Sequence, residues 1–186
     1  MHRSVDIIAA LILSAILSPL LLGLAFLIKL TSRGPVLYWS SRVGVNNMIF
    51  RMPKFRTMRL DTPVVATHLL SGPEQYLTPI GSMLRRLSLD ELPQLYSILK
   101  GDLALVGPRP ALHNQHDLIA LRTARGVHKL VPGLTGWAQV NGRDELSIPR
   151  KVELDVHYLK HRSVMLDLKI LFRTVVAVTR GSGVSH

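Results

Sequence analysis

Two adjacent carboxylates in the segment SLDELP are the residues of this sequence whose types and spacing are best suited to a chemical reaction. Pro93 cannot donate a backbone hydrogen bond, so its helix should begin just before it, with Asp90 and Glu91 at or beside the helix N-terminus. The positive end of a helix dipole favours an ionised carboxylate. Asp90 is therefore a candidate nucleophile, and both residues are candidate ligands of a divalent cation. A capping box formed by Ser88 and Glu91 is the structural alternative.

Basic residues elsewhere in the chain could hold a phosphate beside these carboxylates. Arg109 lies between two prolines that stiffen its backbone, and a preorganised guanidinium binds phosphate through two parallel hydrogen bonds. From residue 48 to 59, hydrophobic residues alternate with cations, so we expect these cations to point into one shared polar site. Those cations are Arg51, Lys54, Arg56 and Arg59, and Arg85 and Arg86 precede the carboxylates by about a turn and a half.

The glycine-rich segment PGLTGWAQVNGR, residues 132 to 143, predicts a structured loop without regular secondary structure. Gln139, Asn141 and Arg143 together offer hydrogen-bond donors and acceptors beside the indole of Trp137. Such a set could bind uracil and ribose, or it could simply hold the loop closed.

Several other kinds of site are excluded by composition or by missing motifs. The chain has no cysteine, which excludes disulfides, thiolate catalysis and cysteine-held metals. His157 and His161 have helical spacing but lack the glutamate of the HExxH motif, so surface histidines are the better interpretation. Neither GxxxxGK[ST] nor GxGxxG occurs, so neither of those nucleotide-binding modes is expected.

The composition combines 47% hydrophobic residues with a formal net charge of +11. That combination suits a membrane surface that carries anionic lipids and phosphates. A nucleic-acid-binding protein would also be basic, but no nucleic-acid-binding motif or aromatic-basic platform is present, and we expect no nucleic-acid partner.

The uncharged segment from residue 7 to 28 predicts a membrane helix, because its length as a helix covers a hydrocarbon core of roughly 30 Å. Pro19 near its middle removes the hydrogen bond to the carbonyl of Ala15, so the helix should bend or break. The hydroxyls of Ser14 and Ser18 could satisfy the loosened carbonyls.

Basic residues flank this apolar segment at both ends, with Arg3 before it and Lys29 and Arg33 after it. The positive-inside rule therefore draws both ends toward the cytoplasm. A re-entrant helix satisfies both preferences, and a single membrane span with a proline kink is the alternative. Either topology leaves the basic bulk of the chain on the cytoplasmic face.

The pattern of elements predicts one compact α/β domain that is mostly helical, with a small β component. We assign residues 1–31 to the membrane helix and residues 32–186 to the catalytic domain. The last helix is amphipathic and either packs into the core or lies in the lipid interface. Strand patterns lie at 36–44, 48–58 and 103–107. Helical patterns lie at 78–100, where Thr78 is the expected N-cap and a second helical run covers 92–100 and ends at Gly101, and also at 112–125 and 163–180.

These segments, in this order, resemble the bacterial sugar transferases, specifically the small monotopic phosphoglycosyl transferases. The resemblance covers nearly the whole chain and departs at Asn47, where a glycine is expected, and at residues 61–76. The matching segments are the apolar helix interrupted at Ser18 and Pro19, GPVLYWSSRVG, KFRTM, LRRLSLDELPQL, GDLALVGPRP, PGLTGWAQVNGR and DLKILFRT.

The resemblance implies a two-step reaction that requires Mg²⁺. Asp90 would attack the phosphate nearest the sugar of a UDP-sugar, form an aspartyl phospho-sugar and release UMP. Glu91 would complete the Asp-Glu pair, and polyprenyl phosphate would then collect the phospho-sugar. The resemblance also assigns substrate binding to the basic residues that match its motifs: Lys54, Arg56, Arg86 and Arg109.

The resemblance further implies a re-entrant helix in the bacterial inner membrane, with the site on the cytoplasmic face. It suggests an N-acetylated deoxy-hexose as the sugar. The sequence leaves the oligomeric state open, with a homodimer as one state to test. Two alternatives to this function remain. One is a non-catalytic, membrane-anchored basic module that binds lipid or a partner, and the other is a glycosyl transferase that releases the nucleoside diphosphate.

Overall fold

The computed structural model describes residues 3–63, 72–142 and 145–180, most of which are helical. Short 3-10 turns link several of the elements, at Val45–Asn47, Pro73–Tyr76, Leu89–Gln94, Val127–Lys129 and Gln139–Asn141. The strands are β1 (Leu37–Val43), β2 (Ile49–Phe55), β3 (Ala104–Val106) and β4 (Gly133–Thr135). The helices are α1 (Arg3–Thr31), α2 (Gly81–Arg86), α3 (Leu95–Lys100), α4 (His116–Ala124), α5 (Ile148–His161) and α6 (Val164–Arg180).

Strands β1 and β2 form an antiparallel hairpin whose register runs from Leu37 opposite Phe55 to Val43 opposite Ile49. Its turn contains Asn47, whose φ of 61° lies in the left-handed region that glycine and asparagine tolerate best. Asparagine can therefore replace the glycine expected there. Its amide also donates a 3.0 Å hydrogen bond to Thr123 on α4.

Strands β3 and β4 form a short parallel pair, with Ala104 opposite Gly133 and Val106 opposite Thr135. The prediction that the glycine-rich segment contains no regular element was therefore wrong at β4. Glycine is required at this position because a Cβ on Gly133 would lie 2.1 Å from the backbone nitrogen of Gly107. The chain can approach β3 this closely only without a side chain.

Helix α1 is long and apolar enough to cross a membrane, judged by its length and composition. It continues through Pro19 as one helix, so a break is not present and the bend stays a prediction. The Ser18 hydroxyl donates a 2.8 Å hydrogen bond to the carbonyl of Ala15. This bond confirms the prediction that a serine hydroxyl compensates for the proline, and it helps the helix to continue.

One side of α1 packs against the rest of the chain over most of the helix length. The buried residues are Asp6 and Ala10 near its start and Leu24 and Ile28 near its end. Its opposite side exposes large apolar side chains, including Leu11, Ile12, Ile16, Leu22, Phe26 and Leu30.

The main hydrophobic core joins α1, β2, α3, β3, α5 and α6 around fully buried residues such as Met52, Ile98 and Ile170. Tyr158 on α5 donates a 2.8 Å hydrogen bond to Asp167 on α6, which fixes the two helices against each other. The predicted closing helix is confirmed as α6, whereas α5 was not predicted.

The region from Thr78 to Lys100 contains two short helices, which agrees with the predicted second helical run that begins near Pro93. Helix α2 ends at Arg86, the 3-10 turn Leu89–Gln94 follows, and α3 then begins at Leu95. The expected N-cap at Thr78 was wrong, because Ile80 precedes α2 and the Thr78 hydroxyl donates instead to the carbonyl of Thr57. This division places the two adjacent carboxylates on a tight turn between two short helices.

Candidate active site

Asp90 and Glu91 lie in the first turn of the 3-10 helix Leu89–Gln94, as the position of Pro93 predicted. Both are buried, at 7% and 9% exposure. The preceding residue, Ser88, has a left-handed φ of 54°, and its side chain makes no capping hydrogen bond. The capping-box alternative is therefore wrong, since it requires that bond.

Glu91 forms ion pairs with two cations from different elements. The Nζ of Lys54, on β2, lies 2.9 Å from Glu91 Oε1. Arg109 donates from Nη2 to Oε1 at 2.6 Å and from Nη1 to Oε2 at 3.3 Å. The β2 strand and the Pro-Arg-Pro turn, residues 108 to 110, are thus joined through one carboxylate.

The carboxylate of Asp90 accepts no hydrogen bond from the residues that the structure describes. Burial raises the pKa of this carboxyl group, and the positive charge of Lys54 acts most strongly in the opposite direction. Burial therefore opposes the expected effect of the helix terminus on the ionisation of Asp90. The neighbouring cations are needed to favour the ionised form.

Three of the four cations between residues 48 and 59 do not point toward this pair of carboxylates. Arg51 lies 5.8 Å from the ring centre of Trp39, and Arg59 pairs with Asp61. Arg56 is buried and donates to the carbonyls of Ser32 and Arg33. The predicted shared polar site was wrong for these three residues.

The pleat of β2 explains this separation, since successive side chains alternate between faces. Arg51 and Lys54 are three positions apart, so their side chains point to opposite faces of β2. Arg56 follows Phe55, the last residue of the strand. After Phe55 the alternation of the strand no longer determines where a side chain points. On α2, Arg86 is exposed, and its half-buried neighbour Arg85 is near enough to lower the pKa of Asp90.

The amides of the glycine-rich segment bond mainly within that segment. Gln139 donates to the carbonyl of Leu134 at 3.0 Å. Asn141 donates to the carbonyl of Trp137 at 2.7 Å and accepts from Arg173 on α6 at 3.3 Å. These bonds match the alternative in which the amides hold the loop closed.

The indole of Trp137 already has several neighbours. His157 stacks on it at 5.7 Å between ring centres, and Lys169 and Arg173 lie 5.6 Å and 5.2 Å from its centre. A uracil ring stacked on Trp137 would have to displace one of them. Arg143, the third polar residue proposed for this loop, lies outside the described residues.

Comparison with known protein families shows to which family this chain belongs. The sequence model of the family described as bacterial sugar transferase matches residues 1–181. The chain belongs to this family. It is 42% identical over its full length to the protein named uncharacterized sugar transferase EpsL of Bacillus subtilis (strain 168), of which it covers 91%.

Longer relatives carry names that state an activity. The sugar transferase described here is 42% identical, over 93% of its length, to the undecaprenyl-phosphate glucose phosphotransferase of Komagataeibacter xylinus. It is 37% identical, over 97% of its length, to the UDP-N-acetylgalactosamine-undecaprenyl-phosphate N-acetylgalactosaminephosphotransferase of Aeromonas hydrophila. It spans only 35% and 44% of those two proteins.

The transferase could hold a divalent cation only together with other ligands. No group of three or more His, Cys, Asp or Glu side chains suited to a metal occurs in the described ranges. Mg²⁺ commonly uses one or two carboxylates and completes its shell with water and substrate phosphates. The buried carboxylates of Asp90 and Glu91 fit that type of site.

Two further arginines of the transferase were missed by the sequence analysis. Arg42 on β1 donates to the carbonyl of Pro110 at 3.1 Å. Burial lowers the pKa of Lys54, and the charge of Arg42 contributes in the same direction. Arg122 on α4 donates to the carbonyl of Arg109 at 2.7 Å. Both contacts join residues far apart in the chain, so no local sequence signal could identify them.

Proposed function

We propose that this transferase moves a sugar phosphate from a UDP-sugar to polyprenyl phosphate, specifically undecaprenyl phosphate. The names of the relatives support the reaction class, and the site supports its chemistry. The observation on which the proposal depends is the contrast within the carboxylate pair. Glu91 is held by Lys54 and Arg109, whereas the adjacent Asp90 carboxylate is not engaged by any described donor. A carboxylate in that state can act as a nucleophile.

The proposed reaction consists of two displacements at one phosphorus atom. In the first, a carboxylate oxygen of Asp90 bonds to the phosphorus that carries the sugar, the bond from that phosphorus to the bridging oxygen breaks, and UMP leaves. In the second, a phosphate oxygen of the polyprenyl carrier bonds to the same phosphorus and the bond to Asp90 breaks. The products are polyprenyl-diphosphate sugar and a restored carboxylate, so atoms and charge balance.

The cations around the pair would stabilise negative charge on the transferred phosphoryl group. Lys54 and Arg109 are the two nearest to Glu91, and Arg85 acts on Asp90. Asp90 and Glu91 would hold Mg²⁺, which supplies further charge stabilisation when bound. Substrate roles for Arg56, Arg86, Gln139 and Asn141 stay predictions, and Arg56, Gln139 and Asn141 each donate to backbone carbonyls. The predicted substrate role of Arg143 lies outside the described residues.

We propose that α1 is re-entrant and that the catalytic domain lies on the cytoplasmic face of the bacterial inner membrane. Arg3 donates to the carbonyls of Leu99 and Leu103 near the start of α1, and Arg56 donates to Ser32 just after its end. A helix whose two ends contact the same domain is hard to reconcile with a single span. UDP-sugars are cytoplasmic, which favours that face.

The amphipathic helix α6 supports contact with the lipid interface. Its exposed apolar residues follow helical spacing and lie on one face: Met165, Leu168, Phe172 and Val175. A site at the lipid interface could receive both a soluble nucleotide sugar and a lipid carrier whose phosphate lies among the headgroups. We propose the reaction as the first membrane step in the synthesis of a glycoconjugate, such as an O-antigen or capsule.

The nucleotide product is the most informative test of this function. Purified protein would be supplied with Mg²⁺, undecaprenyl phosphate and a panel of UDP-sugars that includes glucose, N-acetylgalactosamine and N-acetylated deoxy-hexoses. We expect UMP, and we expect mass spectrometry to detect a phospho-sugar on Asp90 when the carrier is omitted. Asp90→Asn should abolish both signals, whereas Asp102→Asn, which removes a carboxylate paired with the exposed Lys100, should retain them.

The alternative functions predict different outcomes of the same assay. A glycosyl transferase would release UDP in place of UMP. A non-catalytic lipid-binding module would release neither nucleotide with any sugar of the panel, and Asp90→Asn would not change its membrane binding. Turnover by the Asp90→Asn variant would disprove the covalent mechanism.

A further inference from the structure

The backbone of the Pro-Arg-Pro turn is held by long-range hydrogen bonds. Its two prolines have no N–H group, so the turn depends on its carbonyl groups for hydrogen bonding. Four successive carbonyls accept bonds from distant donors: Pro108 from Gly133 at 3.0 Å, Arg109 from Arg122 at 2.7 Å, Pro110 from Arg42 at 3.1 Å and Ala111 from Val43 at 2.9 Å.

Arg122 is also ion-paired with a buried carboxylate. Its Nε and Nη2 donate to Asp155 Oδ2 at 2.9 Å and 2.6 Å. The Asp155 side chain is 2% exposed and that of Arg122 is 11% exposed. Arg122 thus uses one guanidinium to join Asp155 on α5 with the backbone carbonyl of Arg109.

A buried ion pair does not by itself stabilise a protein strongly, because the desolvation of two charges offsets their attraction. The Arg122–Asp155 pair therefore requires an explanation beyond its own energy. The geometry of the pair provides this explanation. Asp155 holds two of the donor nitrogens of a planar guanidinium and thereby fixes the direction of its third donor nitrogen. That third group donates to Arg109, whose side chain is the bidentate partner of Glu91.

We propose that Arg122 and Asp155 are positioning residues for Arg109. Asp155 orients Arg122, Arg122 holds the backbone of Arg109, and the Arg109 fork is thereby aligned with Glu91 and with the phosphates during turnover. The inference rests on the proposed function. Displacing a catalytic group by about 1 Å can cost on the order of 100-fold in rate, so such a support affects turnover without touching substrate.

Arg122→Lys is the most informative variant. Lysine keeps the positive charge beside Asp155, but a single ammonium lacks the planar fork that serves Asp155 and the Arg109 carbonyl together. We expect kcat to fall roughly 10- to 100-fold while the thermal unfolding temperature in detergent changes little. Asp155→Asn should lower kcat similarly, and Arg122→Lys remains a test if Asp155→Asn does not fold.

A double-variant cycle separates positioning from general stabilisation. If Arg122 acts through Arg109, then Arg122→Lys should cost little further activity in an Arg109→Lys background, because a lysine at position 109 has no fork to align. The matched control is the exposed pair of Arg150 and Glu153 on α5. Arg150→Lys and Glu153→Gln should leave kcat unchanged.

The outcomes distinguish this inference from the function on which it rests. Full activity of Arg122→Lys in an active wild-type background would overturn the inference and leave the proposed function intact. An equal loss from Arg122→Lys in both Arg109 backgrounds would also overturn it, since the pair would then act as a general structural link. Failure of the wild-type protein to release UMP would overturn both.

Discussion

Asp90 and Glu91 are neighbours in sequence, but they have different surroundings. The Glu91 carboxylate binds Lys54 and Arg109, whereas no described donor reaches the carboxylate of Asp90. Paired carboxylates that differ in this way commonly have different chemical roles. We therefore interpret Glu91 as the residue that orders the cations and Asp90 as the residue that reacts.

Replacing Glu91 tests its ordering role. Glu91→Gln removes the charge that binds the half-buried Lys54 and Arg109. Because both cations lose the carboxylate that binds them at a site with little solvent, we expect the free energy of unfolding to fall by about 3 kcal/mol. Denaturant titration in detergent would measure this, with the exposed Glu153→Gln as a control that should change it by less than about 0.5 kcal/mol. Equal effects of the two variants would contradict the prediction.

Activity should depend on pH through the ionised form of Asp90. Burial raises the pKa of this carboxyl group, so the rate should begin to fall at a higher pH than for an ordinary aspartate as the solution is acidified. Lys54 is the cation that most lowers this pKa. Lys54→Met should therefore raise the pKa of Asp90 further and move the acidic limb of kcat/KM to higher pH.

The pH profiles of wild type and Lys54→Met would be compared at one Mg²⁺ concentration. Lys100→Met removes an exposed lysine and should leave the acidic limb in place. An unchanged limb in Lys54→Met, or a shift to lower pH, would show that Lys54 does not control the ionisation of the nucleophile.

At the scale of elements, the glycines of the segment from residue 132 to 143 set how closely β4 approaches β3. A Cβ on Gly136 would lie 2.0 Å from the carbonyl oxygen of Gly107, which directly precedes the Pro-Arg-Pro turn. One of the two backbone segments must move if any side chain is added at Gly136, which directly follows β4. The position of Arg109 therefore depends on a glycine in another segment.

Gly136→Ala should separate the two segments and displace the turn. We expect a loss of unfolding free energy on the order of 2 kcal/mol and a fall in kcat that exceeds the effect on stability. Gly23→Ala is the control, because nothing lies within 4 Å of its added Cβ on α1 and alanine favours a helix. Thermal unfolding and UMP release would be measured for both variants. A fully active and stable Gly136→Ala protein would contradict this account.

Sequence patterns predicted the helices and strands whose formation depends on residues close together in the chain. The hairpin strands, α1, α4 and α6 were predicted because their apolar spacing is local, and Pro93 located the carboxylate turn. Helix α5 was missed, although Ser147 precedes it and Pro149 lies in its first turn, the usual start signals. Its inward face includes the charged Asp155, which weakens the apolar pattern.

The candidate site could be predicted only in part, because it is formed by contacts between residues far apart in the chain. Lys54 and Arg109 were identified from their types and local settings, but their common partner is a tertiary contact. Arg56 was assigned to the same site, yet it binds the backbone after α1 because the strand pleat no longer directs its side chain. Arg42 and Arg122 act on the turn from β1 and α4, and no motif marks that role.

At the scale of the whole molecule, the two ends of α1 should be accessible from the same side of the membrane. The chain has no cysteine, so single cysteines can be introduced without other changes. Ser4→Cys and Arg33→Cys place exposed thiols at the two ends, and Ser147→Cys marks the catalytic domain. A re-entrant helix predicts that a membrane-impermeant maleimide labels all three in inside-out vesicles and none in right-side-out vesicles. Labelling of Ser4→Cys alone in right-side-out vesicles would establish a span.

The burial of α1 on one side also bears on how this protein could be made without lipid. Ala10 and Ile28 are fully enclosed and belong to the two main apolar clusters, so deleting the first 31 residues would open both clusters to water. The outward residues, such as Ile16, Leu22 and Phe26, make no such contribution. A version that needs less lipid should therefore be obtained by replacing this outer stripe with polar residues while the inward face of α1 is kept, because the inward face forms part of the core of the enzyme.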